Sequence, residues 1–247
     1  MARRHKLKIV EDAAHSLGAV YGRSKIGSCR YADMTTFSFH PVKHITTGEG
    51  GAITTNDQEL YSRLCSLRTH GVTRDPERLH DRKQGNWYYE MQELGFNYRF
   101  TDIQAALGIE QLKKLDAFVA RRRTIAAKYE NAFRDIHEIC SPVEEAGCRH
   151  IYHLFIIRLR KGLAEKRKPI FENLQKRGIG VQVHYIPIPA QPYYRKMGYR
   201  ASDYPNAQAF YNSAISLPIF PKMTDPEVDF VIKTVKDVVR LYASSNA

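Results

Sequence analysis

Two hydrophobic periods alternate along the chain. Leu7-Lys8-Ile9-Val10, running into the acidic pair Glu11-Asp12, predicts a short buried strand over 6–12. Met34 to His40 (MTTFSFH), rich in Thr and Phe, predicts a second strand. A Gly-containing segment, 18–27, lies between them. A Gly-rich turn, Thr46 to Gly51, follows and leads into a third strand at Ala52-Ile53-Thr54-Thr55. The spacing then becomes helical. Leu60, Leu64 and Leu67 share one face, Asn56 or Asp57 caps the helix, and Gly71 ends it. From Val72 to Glu93 the sequence is polar and charged around Trp87-Tyr88-Tyr89. It reads as a long surface loop, the kind of segment that carries function. Thr101-x-x-Gln104 is a capping box opening one long helix through Ile103, Leu107, Leu115, Phe118 and Val119 to Phe133.

The second half changes character. Ile151 to Arg160 (IYHLFIIRLR) predicts a strand, Pro169 to Arg177 a helix followed by Gly178, and Ile179 to Ile186 a further strand. Thr224-x-x-Glu227 caps a C-terminal helix that turns Val228, Val231, Val235, Val238 and Val239 inward. This half reads as a small α+β domain. The expected division is 1–135 and 136–247.

Composition narrows the class. The 247 residues are 43% hydrophobic and 26% charged, as in an ordinary globular protein. No apolar run approaches the roughly 18 residues of a membrane span. The basic start, Met1 to Lys6, is followed by too short an apolar stretch for a signal peptide. Cys29, Cys65, Cys140 and Cys148 lie far apart with no CxxC pair. That excludes a disulfide framework or a zinc ribbon, and no metal site is expected; a reducing cytoplasm is. The net charge of +12 is compatible with nucleic acid, with a pocket for phosphorylated small molecules, or with a solvated basic surface. The basic residues form no nucleic-acid module, so no nucleic-acid partner is expected.

Two clusters carry candidate chemistry. Lys43 lies just past the second strand in Phe37-Ser38-Phe39-His40-Pro41-Val42-Lys43, beside the Gly-rich turn. A lysine held there and partly desolvated can serve as a Schiff-base amine. On spacing alone it reads first as a solvated surface charge. Asp12 ends the first strand, with His15 three residues on, where an open α/β sheet binds ligands. A carboxylate there can keep a heterocyclic nitrogen protonated, although on position alone a helix cap is the simpler reading.

The strings VEDAAHSLGAVY, TTFSFHPVKHITTGEGGAITTND and LGFNYRFTDIQAALGIEQL, in this order, resemble the DegT/DnrJ/EryC1/StrS sugar aminotransferases. IYHLFIIRL, GIGVQVHYIPI and SLPIFPKMTD extend the resemblance through the second half. It implies the aspartate-aminotransferase type I fold of pyridoxal-phosphate enzymes, here a partial large domain plus a small C-terminal α+β domain. Lys43 then resembles the lysine that bonds to pyridoxal phosphate, and Asp12 the partner of its pyridinium nitrogen. His15 resembles the contact to the ring hydroxyl, and Ser38 a phosphate contact. Asn97 in Gly95-Phe96-Asn97-Tyr98-Arg99 resembles the phosphate contact given by the other subunit of a homodimer with a shared active site. Relatives that dehydrate sugars carry His at the position of Lys43, so the resemblance favours transamination. SFHPVKHITTGEGGAITTND and VQVHYIPIPAQPYYRKMGY are most similar to the branch that makes the 4-amino-sugar precursor of pseudaminic acid. That implies a UDP-linked 4-keto-6-deoxy-N-acetylhexosamine as acceptor and L-glutamate as donor. His184 and Tyr185 are candidates for the sugar side or packed strand residues, and His153 reads as core.

The chain departs from the family pattern at its start. Relatives carry a further stretch, roughly 100 residues or more, ahead of the strand bearing Asp12. It supplies a phosphate-binding loop, a ring-stacking aromatic and several strands. The chain reads as N-terminally truncated and is expected to bind pyridoxal phosphate weakly or not at all alone. An inactive fragment or interaction subunit is the alternative reading.

Overall fold

The computed structural model describes residues 1–160 and 162–244. They form two compact units, Met1–Leu115 and a second from Asp116 onward. The first holds β1 (Val10–Asp12), β2 (Val20–Tyr21), β3 (Ser24–Lys25), β4 (Met34–Ser38), β5 (Gly51–Thr54), α1 (Gln58–Leu67), β6 (Val72–Thr73), β7 (Glu90–Met91) and α2 (Asp102–Leu112). Next come α3 (Leu115–Phe133), β8 (Ile139–Cys140), β9 (Cys148–Arg149), β10 (Phe155–Leu159), α4 (Arg167–Lys176), α5 (Pro192–Lys196), α6 (Pro205–Ser213), β11 (Ala214–Leu217) and α7 (Asp225–Ser244). The mixed α/β character is the one expected.

In the first unit β1 runs parallel to β4, with Asp12 opposite Thr36, and β5 lies antiparallel on the far side of β4. β1 is therefore an edge. The buried strand expected over 6–12 is not found: the observed strand starts at Val10, and Leu7, Ile9 and Val10 are exposed. Only β4 covers β1, from one side. Asp57 caps α1 as expected, its side chain accepting from Glu59 and Leu60 N–H. The long loop 72–93 contains a short ladder, β6 with β7.

The Thr101–Gln104 capping box is present. The single helix expected from it is two, parted at Lys113 and Lys114. The halves bury different things. α2 has no buried residue and leaves Ile103, Leu107, Ile109 and Leu112 exposed, whereas α3 buries Val119, Ile125, Ala126, Tyr129 and Phe133. That burial goes with the second compact unit, which begins at Asp116.

The second unit has the larger core. Strands order as β11-β10-β8, all antiparallel. Phe155, Ile157 and Leu159 of β10 meet Tyr129 and Phe133 of α3, Ile170 and Leu174 of α4, and Val228, Val231, Val235 and Val238 of α7 in one cluster. Each such side chain contributes about 1.5–3 kcal/mol by leaving water. The capping box of α7 forms as expected: Thr224 N–H donates to Glu227 Oε2 at 2.7 Å and Glu227 N–H to Thr224 Oγ1 at 3.4 Å.

Two expected strands are shorter or absent. Ile151, Tyr152 and His153 are buried but lie outside β10. The Arg122 guanidinium donates to the carbonyls of Tyr152 (3.1 Å), His153 (3.2 Å) and Ile219 (2.8 Å), and Tyr152 takes a φ of 49°. Two carbonyls go to a side chain instead of a ladder. Residues 179–186 make only an isolated bridge, Gln182 with Ser216, because Val181 N–H turns back onto Ile179 O at 2.9 Å.

Candidate active site

The first unit's candidates gather where β1 and β4 end together. Parallel pairing places Asp12 beside Thr36, two residues before Ser38, and Ala13 N–H extends the pairing to Thr36 O at 2.9 Å. Asp12 Oδ1 accepts the N–H of Ala14 at 3.1 Å, so one carboxylate oxygen holds the turn after β1. Ser16 N–H closes that turn on Ala13 O, with half-buried His15 inside it. Ser38 Oγ accepts from His40 N–H at 3.4 Å.

Lys43 sits in the β4–β5 connection, which is stitched to Phe39. Phe39 N–H donates to Gly50 O (2.8 Å), while Phe39 O accepts from Thr47 N–H (3.0 Å) and Thr46 Oγ1 (3.1 Å). Gly50 must be glycine. Its φ is 143°, and a Cβ would stand 2.7 Å from the Phe100 ring and 2.8 Å from Thr47 Oγ1. Phe100 in turn meets Phe39 edge to face at 6.2 Å. The loop is thus clamped at both ends, and Lys43 N–H donates to His40 O at 2.9 Å within it. His44 and Ile45 are buried and Lys43 half-buried. Burial lowers the Lys43 pKa, and the Asp12 carboxylate pushes the other way.

These groups suit pyridoxal phosphate. A half-buried amine with a lowered pKa, a carboxylate within its electrostatic reach and a serine hydroxyl at the adjoining strand end are the donor set the group needs. Asn97 is not joined to them. Its backbone bridges Thr69, and its Oδ1 accepts from Arg99 Nε at 3.0 Å. That hydrogen bond uses the Asn97 carbonyl oxygen and none of its amide N–H groups. Arg99 was not singled out in the sequence, although it stands in the same string as Asn97. In the second unit, His184 Nδ1 and Ser216 Oγ are 2.7 Å apart, and exposed Tyr185 meets the His184 ring edge to face at 4.5 Å. His153 is buried. Among the described residues no group of three or more His, Cys, Asp or Glu could hold a metal ion, and no helix is long and apolar enough to cross a membrane.

The profile of the DegT/DnrJ/EryC1/StrS aminotransferase family matches residues 1–236. The uncharacterized protein MJ1066 of Methanocaldococcus jannaschii is 43% identical over 241 residues, spanning 97% of this chain and 62% of its own. The UDP-4-amino-4,6-dideoxy-N-acetyl-beta-L-altrosamine transaminase of Campylobacter jejuni is 37% identical over 239 residues, with 97% and 60% covered. Among solved structures, the putative sugar aminotransferase Spr1654 from Streptococcus pneumoniae superposes with a TM-score of 0.87 at 34% identity. It covers 97% of this chain and 59% of its own, and has been solved in apo, PMP and PLP forms. The chain spans about three-fifths of the length of these relatives.

Proposed function

Since the chain belongs to the DegT/DnrJ/EryC1/StrS aminotransferase family, we propose that it serves a pyridoxal-phosphate-dependent sugar aminotransferase. The acceptor is a UDP-linked 4-keto-6-deoxy-N-acetylhexosamine and the donor L-glutamate. The observation that carries this reading is Lys43, half-buried in a clamped loop, with its pKa lowered by burial and Asp12 in reach. The transaminase of Campylobacter jejuni supports the choice of sugar.

Pyridoxal phosphate, when bound, supplies an electron sink and a carbonyl that stores the amino group between half-reactions. The chain's residues supply the rest. Asp12 holds the proton on the pyridinium nitrogen. Ser38 and the amide of Asn97 take the phosphate, and His15 orients the ring hydroxyl. Burial raises the neutral share of Lys43, which lets it take the proton from the amino-bearing carbon of the donor and return one to the acceptor carbon. His184 and Tyr185 of the second unit are the candidates for holding the sugar. Asn97 acts on the site of a second copy in a homodimer, a role supported by the apolar, unburied face of α2. The four free cysteines support a cytoplasmic setting.

The exposed edge at β1 favours a second reading for the chain alone, that of a piece with weak cofactor affinity. A half-reaction tests the function. Chain loaded with pyridoxal phosphate and given L-glutamate should release 2-oxoglutarate, and then aminate the UDP-linked 4-keto sugar. Release no greater than that of Lys43→Ala would overturn it.

A further inference from the structure

One carboxylate draws the arm 80–92 together. Glu90 accepts the backbone N–H of His80 (2.8 Å to Oε2, 3.0 Å to Oε1) and of Asp81 (2.9 Å). The Tyr88 hydroxyl (3.1 Å) and the Gln92 amide (3.0 Å) also donate to it, and His80 Nδ1 lies 3.0 Å from Oε2. Its side chain is 12% exposed beside a His80 ring that is 86% exposed. The backbone N–H groups of Asp81 and His80 do most to pull the carboxyl down, to about 2, so it is ionised at any physiological pH.

Glu90 pairs with Thr73 in the β6–β7 ladder. Next to it in the chain, Tyr88 reaches back to Glu90 through its hydroxyl, while Tyr89 has the Arg74 guanidinium 5.5 Å from its ring centroid. Tyr89 and Arg74 line an open cleft of about 460 Å³ with Thr69, His70, Val72 and Arg99. The lining holds two guanidinium groups and an imidazole, and no carboxylate. Arg99 spends its Nε on Asn97, which leaves its terminal nitrogens to fork onto an oxyanion.

We propose that Glu90 is a positioning residue: by knotting the arm it sets Tyr89 against Arg74, and so shapes the cleft for a diphosphate. On the reading under "Proposed function", on which the nucleotide part of this inference rests, the diphosphate belongs to the nucleotide half of the acceptor.

Calorimetry on the full chain with inorganic pyrophosphate and with UDP tests this. The chain's one tryptophan, Trp87, is 76% exposed in the same arm and reports its shape by acrylamide quenching. Pyrophosphate should bind the wild type, and Arg74→Gln or Arg99→Gln should weaken it about tenfold, the loss of one charge-assisted contact. Glu90→Ala should weaken it similarly and raise Trp87 quenching while the far-ultraviolet circular dichroism of the chain stays unchanged. Glu90→Asp, which keeps the acceptor, should recover part of the affinity. Pyrophosphate binding absent in the wild type, or equal in Glu90→Ala, would overturn the proposal. UDP binding that ignores all these substitutions would overturn it and leave the proposed function standing. Glu90-dependent pyrophosphate binding, with UDP no tighter, would uphold the cleft and count against the nucleotide-sugar reading.

Discussion

The Asp12 carboxylate and the Lys43 amine, one at the end of β1 and the other in the loop after β4, act on each other electrostatically. Burial lowers the Lys43 pKa and Asp12 resists that lowering. Asp12→Asn removes the resisting charge, so the amine should lose its proton at lower pH. The pH dependence of Lys43 acylation by an amine-selective reagent, followed by peptide mass spectrometry, checks this. An unchanged or higher midpoint would contradict it.

Gly50 holds the same loop from the far side. Gly50→Ala drives a Cβ against Phe100 and Thr47 at a φ of 143°. The strain should be about 1–3 kcal/mol. Retention of pyridoxal phosphate should fall with the far-ultraviolet circular dichroism unchanged.

Arg122 is 5% exposed and buried without a carboxylate, its pKa lowered to about 10 by burial. It satisfies three carbonyls, while its Nε finds no acceptor among the described residues. Arg122→Leu strands those carbonyls and should cost about 2–3 kcal/mol in urea unfolding of the second unit. Its neighbour Arg121→Leu, at a partly exposed position, should cost less.

Asp57 caps α1 and receives Lys8 Nζ at 3.0 Å. The hydrogen bond from Lys8 does most to hold its carboxyl below the usual range. A lowered folded pKa gives stability that is present above the unfolded value and lost as pH falls through the folded one. Asp57→Ala should therefore lower the thermal midpoint at neutral pH, and the gap from wild type should narrow as the pH falls below the ordinary aspartate range.

Asn97 accepts Arg99 Nε through its Oδ1, and its amide N–H groups are not used in that contact. If it serves a second copy, Lys43→Ala and Asn97→Ala chains complement each other when mixed. Random pairing gives about a quarter of the wild-type cofactor sites. Recovery of none would place Asn97 in its own chain's site.

Much of this was legible in the sequence because the signals were local. The caps at Asp57, Thr101 and Thr224 depend on residues three apart, and all three form. The valines of α7 read correctly because a helix repeats its face. What failed depended on distant partners. Leu7, Ile9 and Val10 look like a buried strand, yet burial needs a neighbour on both sides. Ile151–His153 look like strand, but Arg122, 30 residues before Tyr152 and 31 before His153, takes two of their carbonyls. At the site, Lys43, Asp12 and Ser38 stood in recognisable strings. The Glu90 knot did not, because its donors, Asp81 and His80, are backbone groups that no composition reveals.

The central claim is that Lys43 is the amine that holds pyridoxal phosphate. The direct measurement is borohydride reduction of the chain with excess pyridoxal phosphate, followed by peptide mapping of the pyridoxyl label. The account expects the label on Lys43 above every other lysine, its loss in Lys43→Ala, and a weaker label in Asp12→Ala. A label spread over surface lysines and unchanged in Lys43→Ala would contradict it.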